Sequence, residues 1–287
     1  MAVRLVSYSQ PALHFLAKDI EDAQDLIAFC ARVSNPANQM NTETSEKLLK
    51  YLAKHKHWSP FEMVNACLEI DTTRDIAHQI VRHRSFSFQE FSQRYANPED
   101  MGDIFVHREA RLQDPKNRQN SIETDDTRLQ MMWSSQQNQV IDQARRAYEW
   151  ALQNGIAKEQ ARAVLPEGLT RTRLYMNGTV RSWIHFIELR SANGTQKEHM
   201  ELAKACGRTL IPLIGDLDMG REITTHYADD NKGKAVVCID FKEEMAYIKY
   251  YDDNDKFFFK EEFPNKSIRY VEDAAENWAL GIKKLEE

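Results

Sequence analysis

The sequence predicts a mixed fold, α/β in the α+β sense, for this chain of 287 residues. Apolar side chains recur every three or four residues in several long segments, which is typical of helices with one buried face. Between these segments, the stretch 64–70 alternates apolar with polar side chains, which is typical of a strand buried on one face. With 42% apolar residues, the chain can bury a large core, either as one domain or as a domain with an appendage.

Two helices are predicted near the N-terminus, because apolar residues recur at helical spacing over 20–33 and 43–55. Asp19 and Thr42 stand just before these segments, and short polar side chains at such positions accept hydrogen bonds from the first helical amides. We therefore expect Asp19 and Thr42 to be the N-caps of the two helices.

A third helix is predicted directly after the strand, because the apolar spacing changes to four at Ile76 and Ile80. The next residues, Arg82–Arg84, then fall at a helix C-terminus, where positive side chains complement the helix dipole. Residues 86–95 alternate enough to be extended, whereas 97–126 is rich in polar residues, Pro and Gly and is predicted to be a long loop.

Three helices are predicted between this long loop and residue 190. A long one runs over 129–154 and ends at Gly155, and a short one over 158–165 stops before a proline. The helix at 179–190 has two faces: it buries Trp183, Phe186 and Ile187 and presents Arg181, His185 and Glu188 elsewhere.

The last sixty residues are predicted to form a small meander packed by a helix. The strand candidates are 235–241, 245–251 and 256–263, and the helix is 271–285. We therefore expect a main domain over 1–228 and an appendage of unknown role over 229–287.

Composition favours a small-molecule enzyme of a reducing cytoplasm. The net charge is −6 and the sequence pI about 5.9, whereas nucleic-acid binders usually carry a basic face. The four cysteines, at 30, 67, 206 and 238, show neither paired nor metal-ligand spacing, so neither a disulfide framework nor a metal site is expected. The chain shows no signal-like segment and no run of about 20 apolar residues, so we expect no membrane association.

The stretch RHRSFSFQEFSQRY, residues 82–95, is the most informative part of the chain. A basic helix end that neutralises its own dipole would explain Arg82–Arg84 alone. It does not explain the Glu, Ser and Arg that follow within ten positions at Glu90, Ser92 and Arg94. Guanidinium forks and hydroxyls are suited to phosphates, so we predict an anionic ligand here.

The order Arg, His, Arg, seven spacers, Ser, one spacer, Arg resembles the signature of the flavin-dependent thymidylate synthases. Three further blocks resemble that family in the same order: His57–Glu62 with Gln79 behind it, 161–166, and 180–190 with Gln196 and Glu198 behind it. The resemblance covers about residues 12–212. It departs from the family pattern at Ser85 and Gln89, where the family usually has an aliphatic residue and Asn.

The resemblance implies two sets of ligand-binding residues. The FAD-binding set is His57, Ser59, Glu62, Arg82, His83, Arg84, Ser85, Glu90, Thr179, Arg181 and His185. The dUMP-binding set is Gln79, Arg82, Glu90, Ser92, Gln93, Arg94, Arg162 and Arg190. From the residues alone, several members are equally explained as helix caps or as exposed helical pairs.

Arg162 and Arg190 are the catalytic residues that the resemblance implies, because it places both at the pyrimidine ring. Guanidinium donors there stabilise negative charge that builds on the ring, by roughly 3 kcal/mol for one well-placed donor. Ser92 is not expected to be a nucleophile, since neither Gln93 nor Arg94 beside it can act as its general base. The bound flavin then carries the redox chemistry, and the protein supplies position and charge.

The activity that the resemblance implies is conversion of dUMP to dTMP, with methylene-tetrahydrofolate as carbon donor and NADPH, through FAD, as hydride source. It also implies a twisted, mainly antiparallel sheet flanked by helices, and a homotetramer. Two alternatives remain open. Another FAD-binding oxidoreductase would keep Arg82–Arg84 without needing Arg162 and Arg190, and a nucleic-acid-binding module is disfavoured by the acidic pI.

We also expect each active site to be shared between subunits. If residues 84–94 are extended, ten residues at about 3.3 Å each separate the two ends by roughly 33 Å, too far to hold one nucleotide within one subunit. The stretch 88–91 has no Gly, Pro, Asn or Asp to make a sharp turn. The expected arrangement sets Gln79, Arg82 and Arg190 of one chain against Ser92 and Arg94 of another.

Overall fold

The computed structural model describes residues 2–16, 18–192, 194–215, 222–228, 233–240 and 245–285. These residues form two compact units, each built from separate parts of the chain. The first unit comprises the residues up to Tyr8, Ala66–Gly178 and Gln196–Leu202; the second comprises Ser9–Asn65, Thr179–Thr195 and the residues from Ala203 onwards. Within the described ranges, no helix combines the length and the apolar character needed to cross a membrane.

Strands and helices are interspersed along the chain, so the predicted α/β class is confirmed. The strands are β1 (Ala2–Tyr8), β2 (Asn65–Thr73), β3 (Ser87–Glu90), β4 (Arg111–Gln113), β5 (Ser121–Glu123), β6 (Arg171–Thr179), β7 (Glu222–Tyr227), β8 (Lys234–Asp240), β9 (Met245–Tyr251) and β10 (Phe257–Phe263). The helices are α1 (Leu13–Leu16), α2 (Ala23–Ala31), α3 (Ser45–Lys54), α4 (Arg74–Ile80), α5 (Thr127–Gln153), α6 (Lys158–Ala161), α7 (Val180–Ser191), α8 (Lys197–Ile214) and α9 (Ile268–Ala279). Short 3-10 helices lie at Pro36–Asn38, Ser59–Glu62, Pro98–Met101 and Arg162–Val164.

The first unit is organised around a four-stranded sheet in the order β1-β2-β6-β3. β1 is antiparallel to β2, and β3 is antiparallel to β6. Along β2, Ala66, Leu68 and Ile70 are buried while Glu69 and Asp71 on the other face are half-buried. The alternation predicted for residues 64–70 is therefore confirmed, and the strand continues to Thr73.

α4 follows β2 directly and places the cation stretch at its end. Its buried residues are Ile76, Ala77 and Ile80, as the spacing of four predicts. Past its last residue, the amide of Arg82 donates to the carbonyl of Gln79 at 3.4 Å and the amide of His83 to that of Ile80 at 3.0 Å. The prediction that Arg82–Arg84 lie at a helix C-terminus is confirmed.

The prediction of extended chain throughout 86–95 is wrong, because β3 covers only Ser87–Glu90. The chain turns before β3, where the Phe86 amide donates to the His83 carbonyl at 3.3 Å. It turns again after β3, where the Tyr95 and Ala96 amides donate to the Ser92 carbonyl at 3.1 and 3.2 Å. The roughly 33 Å span therefore does not apply, since main-chain hydrogen bonds close both turns without Gly or Pro.

The segment 97–126 is more ordered than the loop that its composition predicts. It contains Pro98–Met101, capped by Asn97, and the antiparallel pair β4–β5. Two glutamines of α5 hold it further. Gln137 bonds the amide and carbonyl of Arg108 at 2.7 and 2.8 Å, and Gln130 bonds those of Ala110 at 2.8 and 2.9 Å. Each carboxamide thus satisfies the loop backbone as a neighbouring strand would.

The helices at 129–154, 158–165 and 179–190 are confirmed as α5, as α6 continued by Arg162–Val164, and as α7. Gly155 follows α5 with φ of 75°, a left-handed conformation that suits glycine. The two faces predicted for α7 are also observed, with Trp183, Phe186 and Ile187 buried.

The predicted N-caps of the first two helices are wrong. α2 begins after Asp22, whose side chain accepts from the amide of Asp25 at 2.8 Å, and α3 begins after Thr44. Asp19 instead takes a left-handed conformation with φ of 61°. Each helix starts two or three residues later than its apolar pattern predicts, because apolar residues also pack in the turn before a helix.

The C-terminal part of the second unit is a four-stranded antiparallel meander in the order β10-β9-β8-β7. α9 covers one face, where Val237, Ile248 and Tyr250 pack with Val271 and Ala275. The three predicted strands are confirmed, and β7 adds a strand that the sequence pattern did not reveal. The final helix is also present, but it runs over Ile268–Ala279 and not over the predicted 271–285. The predicted boundary at residue 229 and the strand end at 241 lie outside the described residues.

Candidate functional site

The predicted site residues are distributed over both units. The first unit carries Gln79, Arg82, His83, Arg84, Ser85, Glu90, Ser92, Gln93, Arg94 and Arg162. The second unit carries His57, Ser59, Glu62, Thr179, Arg181, His185 and Arg190. Within each unit, the structure brings some of these residues together and leaves others apart.

In the second unit, the start of α7 lies against the 3-10 helix Ser59–Glu62. Arg181 in the first turn of α7 donates to the Glu62 carboxylate at 2.5 Å. Thr179 caps α7, its hydroxyl accepting from the amide of Ser182 at 3.2 Å. The capped helix and the ion pair fix Arg181 next to the exposed turn that also presents Ser59.

His185 lies one helical turn after Arg181 and contacts Trp58 edge-on, with the ring centroids 5.0 Å apart. Desolvation of the imidazole, followed by the positive charge of Arg181, lowers the pKa of His185 below its ordinary value. The ring is therefore neutral at neutral pH and offers one donor and one acceptor. His57, beside Trp58, is exposed, and Arg190 is half-buried in the last turn of α7.

In the first unit, two cations project from the turn after α4. The side chains of Arg82 and Arg84 are exposed, and neither guanidinium makes a hydrogen bond or ion pair with other residues that the structure describes. His83 between them lies edge-on to the buried His199, with centroids 6.4 Å apart. The turn is braced by Phe86, whose ring lies over Gly178 so closely that a Cβ at that position would collide with it. Two free guanidiniums on a braced turn are suited to an anionic ligand.

The turn after β3 lies against the start of α6, and the two bring three predicted dUMP ligands together. Arg94 Nε is 3.5 Å from Oε2 of Glu159, and Arg162 Nε donates to the main-chain carbonyl of Glu159 at 3.3 Å. Lys158 Nζ donates to the carbonyl of Tyr95 at 3.1 Å. Ser92, which begins this turn, is half-buried, and its hydroxyl accepts from the amide of Arg94 at 3.4 Å. A hydroxyl and three cations on two adjoining turns form an anion-binding arrangement.

Gln93 differs from its neighbours in that turn. Its side chain is only 2% exposed, and its Nε2 donor has no hydrogen-bond partner among the described residues. A buried donor of this kind carries a free-energy cost until a partner is supplied.

Glu90, at the end of β3, is held from two sides. Its Oε1 accepts from the hydroxyl of Thr172 on β6 at 2.8 Å and lies 3.5 Å from a nitrogen of Arg74. Arg74 also contacts Glu167 at 3.4 Å. Thr172 and Arg74 are not among the predicted site residues, because they lie outside the four blocks that resemble the family and contact Glu90 from neighbouring elements.

Gln79 is held by residues that follow it by more than a hundred positions. Its Nε2 donates to Oε1 of Gln196 at 2.8 Å, and its Oε1 lies 3.3 Å from Nδ1 of His199. Gln196 in turn donates to the carboxylate of Glu198 at 2.9 Å. A resemblance places Gln196 and Glu198 in the family pattern, but no local pattern in the sequence shows that they reach Gln79.

A cavity of about 450 Å³ also lies in the first unit. Its walls include Asp71, Thr73, Arg108, Lys197 and Glu198. None of the predicted ligand-binding residues lines it.

Several proteins of known activity are similar to this chain. Residues 15–213 match the family described as thymidylate synthase complementing protein. A probable flavin-dependent thymidylate synthase of Paramecium bursaria Chlorella virus 1 is 48% identical over 211 residues, which cover 74% of this chain and 94% of the relative. The flavin-dependent thymidylate synthase of Synechocystis sp. has the same identity and coverage. The solved structure of the UMP/dUMP methylase PolB from Streptomyces cacaoi, bound with 5-Br dUMP, is 25% identical, with a TM-score of 0.59 over 74% of this chain and 90% of its own.

Proposed function

Because this chain belongs to the flavin-dependent thymidylate synthase family, we propose specific roles for its residues in the methylation of dUMP to dTMP. The chain is an enzyme that depends on FAD and acts on dUMP. Methylene-tetrahydrofolate as carbon donor and NADPH as hydride source complete the proposed reaction. The observation that carries these roles is the pair of clusters around Arg181 and around Arg94.

The side chains that would hold FAD fit its chemistry. Arg82 and Arg84 are exposed cations without partners among the described residues, and a diphosphate needs such charge-assisted donors. Arg181 is held by Glu62, and the neutral His185 contacts Trp58 edge-on, so the second unit offers a fixed cation and an aromatic surface for a polar ring. His57, Ser59, Thr179, His83, Ser85 and Glu90 complete the proposed FAD set. When bound, the flavin supplies two-electron chemistry that no side chain can perform.

The first unit binds the phosphate end of dUMP through the turn that contains Ser92 and Arg94. The Ser92 hydroxyl donates to a phosphate oxygen, and the Arg94 guanidinium supplies charge. We do not propose Ser92 as a nucleophile, because its hydroxyl accepts from the amide of Arg94, at 3.4 Å, and no hydrogen bond links it to a general base among the described residues. Gln79, Arg82, Glu90 and Gln93 complete the proposed nucleotide set.

Arg162 and Arg190 act at the pyrimidine. Guanidinium donors directed at its carbonyl oxygens stabilise the negative charge that builds on the ring during methylation, which is worth roughly 3 kcal/mol for one donor. Arg162 is oriented by its hydrogen bond to the Glu159 carbonyl at 3.3 Å. Because that acceptor is an uncharged main-chain carbonyl, the hydrogen bond does not neutralise the positive charge of the guanidinium, which can act on the substrate.

The assembly is proposed to be a homotetramer with active sites shared between subunits. This proposal is supported by membership of the family alone. The other reason to expect shared sites, an extended stretch over residues 84–94, does not apply because the chain turns on both sides of β3. A reducing, cytoplasmic setting fits the four cysteines, all of which are free thiols.

The decisive experiment is an absorbance spectrum of the purified protein followed by a product assay. We expect a flavin spectrum, or stoichiometric uptake of added FAD, and formation of dTMP from dUMP with methylene-tetrahydrofolate and NADPH. The double variant Arg82→Gln/Arg84→Gln should lose FAD affinity, whereas Arg146→Gln, an exposed arginine of α5, should not. A colourless wild-type protein that ignores added FAD would refute the proposed function.

A further inference from the structure

We propose that Gln196 and Glu198 are positioning residues that fix which way round the Gln79 carboxamide faces the pyrimidine, and so make the site select uracil over cytosine. This inference rests on the proposed function, because it takes Gln79 to be a ligand of the base. The three side chains belong to one unit and form a continuous hydrogen-bonded chain.

The hydrogen-bonded chain from Gln79 through Gln196 to Glu198 has a direction from donor to acceptor, and Glu198 sets that direction. A carboxylate can only accept hydrogen bonds, so the group of Gln196 that lies 2.9 Å from Glu198 must be its NH₂. The carbonyl oxygen of Gln196 then faces Gln79, so Gln79 must present its own NH₂ at 2.8 Å. The oxygen of Gln79 is left to accept from Nδ1 of His199 at 3.3 Å, which requires the tautomer protonated at that nitrogen.

Glu198 is held as a carboxylate by two arginines. Arg108 lies 3.1 Å from its Oε1, and Arg111 donates to the same oxygen. Burial alone would raise the pKa of Glu198, but the hydrogen bond from Arg111 and the charges of both arginines outweigh it and lower the pKa to about 2. The Glu198 carboxylate therefore remains a hydrogen-bond acceptor at every pH at which the enzyme would be assayed.

Arg108 is itself fixed by further hydrogen bonds, so the Glu198 end of the hydrogen-bonded chain cannot easily shift. Arg108 also bonds Asp75 at 2.8 Å, the hydroxyl of Thr73 at 2.6 Å and the carbonyl of Gly168 at 3.2 Å. Asp75 lies in α4, the helix that carries Gln79. The same helix is thus tied to Glu198 at two points, through Arg108 and through Gln196.

The orientation of a carboxamide matters because it reads uracil and cytosine in opposite senses. Uracil presents a donor at N3 and an acceptor at O4, whereas cytosine presents an acceptor at N3 and a donor at N4. A carboxamide that is free to flip can pair with either base, with its oxygen and NH₂ exchanged. Gln79 has one N–H and one oxygen lone pair left for a ligand, and Glu198 imposes its orientation. In that orientation the carboxamide matches only one of the two bases, uracil or cytosine.

The test compares the affinities of dUMP and dCMP for the FAD-loaded protein by isothermal titration calorimetry. Gln196→Met removes the carboxamide that joins Gln79 to Glu198 but leaves the arginine contacts of Glu198 in place. Glu198→Gln replaces the carboxylate, which can only accept hydrogen bonds and so sets the orientation of Gln196. Either change should reduce the dUMP-to-dCMP affinity ratio by about tenfold, since one oriented hydrogen bond is lost. Glu201→Gln, three residues further along α8 and outside the hydrogen-bonded chain, is the control and should keep the wild-type ratio.

A reversed pair of substitutions separates orientation from simple disruption. In the double variant Gln196→Glu/Glu198→Gln, the carboxylate at position 196 accepts from Gln79 and from the new carboxamide, so Gln79 keeps its orientation. The affinity ratio should return to within about twofold of wild type, because the lost hydrogen bond is restored. A purely structural role would not be rescued by moving the charge.

Flavin content and Tm show which variants are folded, and Gln196→Met alone decides between the outcomes if Glu198→Gln does not fold. A wild-type ratio in Gln196→Met, with dUMP still preferred by the wild-type protein, would overturn this inference and leave the proposed function standing. A wild-type protein that is loaded with FAD and binds neither nucleotide would overturn both.

Discussion

Arg94 and Glu159 face one another in the first unit, with Arg94 Nε 3.5 Å from Glu159 Oε2. Both side chains are about half exposed, so water screens the pair and it contributes only about 0.2–1 kcal/mol. The phosphate of dUMP carries more charge than a carboxylate and accepts more hydrogen bonds. Glu159 is therefore expected to compete weakly with the substrate for the guanidinium of Arg94, the proposed phosphate ligand.

Glu159→Gln should tighten dUMP binding, because Arg94 no longer has to leave a carboxylate. The expected gain is at most about 1 kcal/mol, or roughly fivefold in Kd measured by calorimetry. The main-chain carbonyl that orients Arg162 is unaffected by the change. Glu149→Gln, the same charge change at an exposed position of α5, should leave Kd unchanged. Equal affinities in Glu159→Gln and wild type would contradict the expected competition between Glu159 and the phosphate for Arg94.

Ser92→Ala should weaken dUMP binding but leave dTMP formation measurable. Loss of one hydrogen bond to a charged phosphate costs roughly 1.5–3 kcal/mol, whereas loss of a covalent nucleophile would abolish its pathway. The measurement is the rate of dTMP formation over a range of dUMP concentrations. Ser87→Ala, an exposed serine in β3, is the control. Absence of product at saturating dUMP, with flavin bound and reducible, would mean that Ser92 is a nucleophile after all.

Arg190→Ala and His57→Ala should damage different steps. Arg190→Ala should lower kcat by about a hundredfold or more and leave flavin content near wild type, since the lost donor is proposed to act on the pyrimidine. His57→Ala should lower FAD affinity first, because His57 belongs to the exposed turn beside Trp58. His55→Ala, two residues away and also exposed, is its control. Matching losses of FAD in the two site variants would contradict this division of roles.

The fold was predictable where a single segment contained its own signal. α4 and α7 show helical spacing over one or more turns, so their positions follow from local pattern. β8, β9 and β10 are short segments rich in β-branched or aromatic residues, which is a second local signal. β1, β6 and α8 were not predicted. β6 has exposed and buried residues in alternation, but the buried ones include Thr172 and Gly178, which do not register as apolar.

The candidate site was less predictable, because its contacts join distant parts of the chain. Gln79 and Gln196 are 117 positions apart, and Glu90 and Thr172 are 82 apart. No periodicity encodes such pairs. The roles of Gln130 and Gln137 could not be predicted either, since a glutamine on a helix is usually exposed. Their roles depend on the loop backbone that they bond in the folded structure.

The pKa of His185 should lie below its ordinary value of 6.5 in the flavin-free protein, and NMR titration of the ring can measure it. Replacing Trp58 by Leu should raise that pKa if the replacement admits water, and Arg181→Met should raise it by removing a like charge. The folded pKa is below the unfolded one, so the unfolded state binds more protons as the pH falls through 6.5. His185 therefore lowers stability on the acidic side of 6.5, and His185→Gln should make unfolding less sensitive to pH there. A titration midpoint at or above 6.5 would contradict the assignment.

Two inactive variants, Arg94→Ala and Arg190→Ala, should restore activity when their subunits are mixed, if active sites are shared. A site needs Arg94 from one protomer and Arg190 from its partner, so random 1:1 mixing leaves about a quarter of the sites with neither lesion. Activity should rise from background to about a quarter of the wild-type value, once native mass spectrometry verifies the mixed oligomers.

The geometry around Glu159 supplies the negative control for that experiment. Arg94 and Arg162 both contact Glu159 within one chain, so they belong to the same part of a site. Mixing Arg94→Ala with Arg162→Ala should therefore restore nothing, because each protomer carries a lesion in the same part. Recovery in this control would mean that a mixed oligomer gains activity for reasons other than complementation. No recovery with Arg94→Ala and Arg190→Ala, despite verified mixing, would show that each chain builds its site alone.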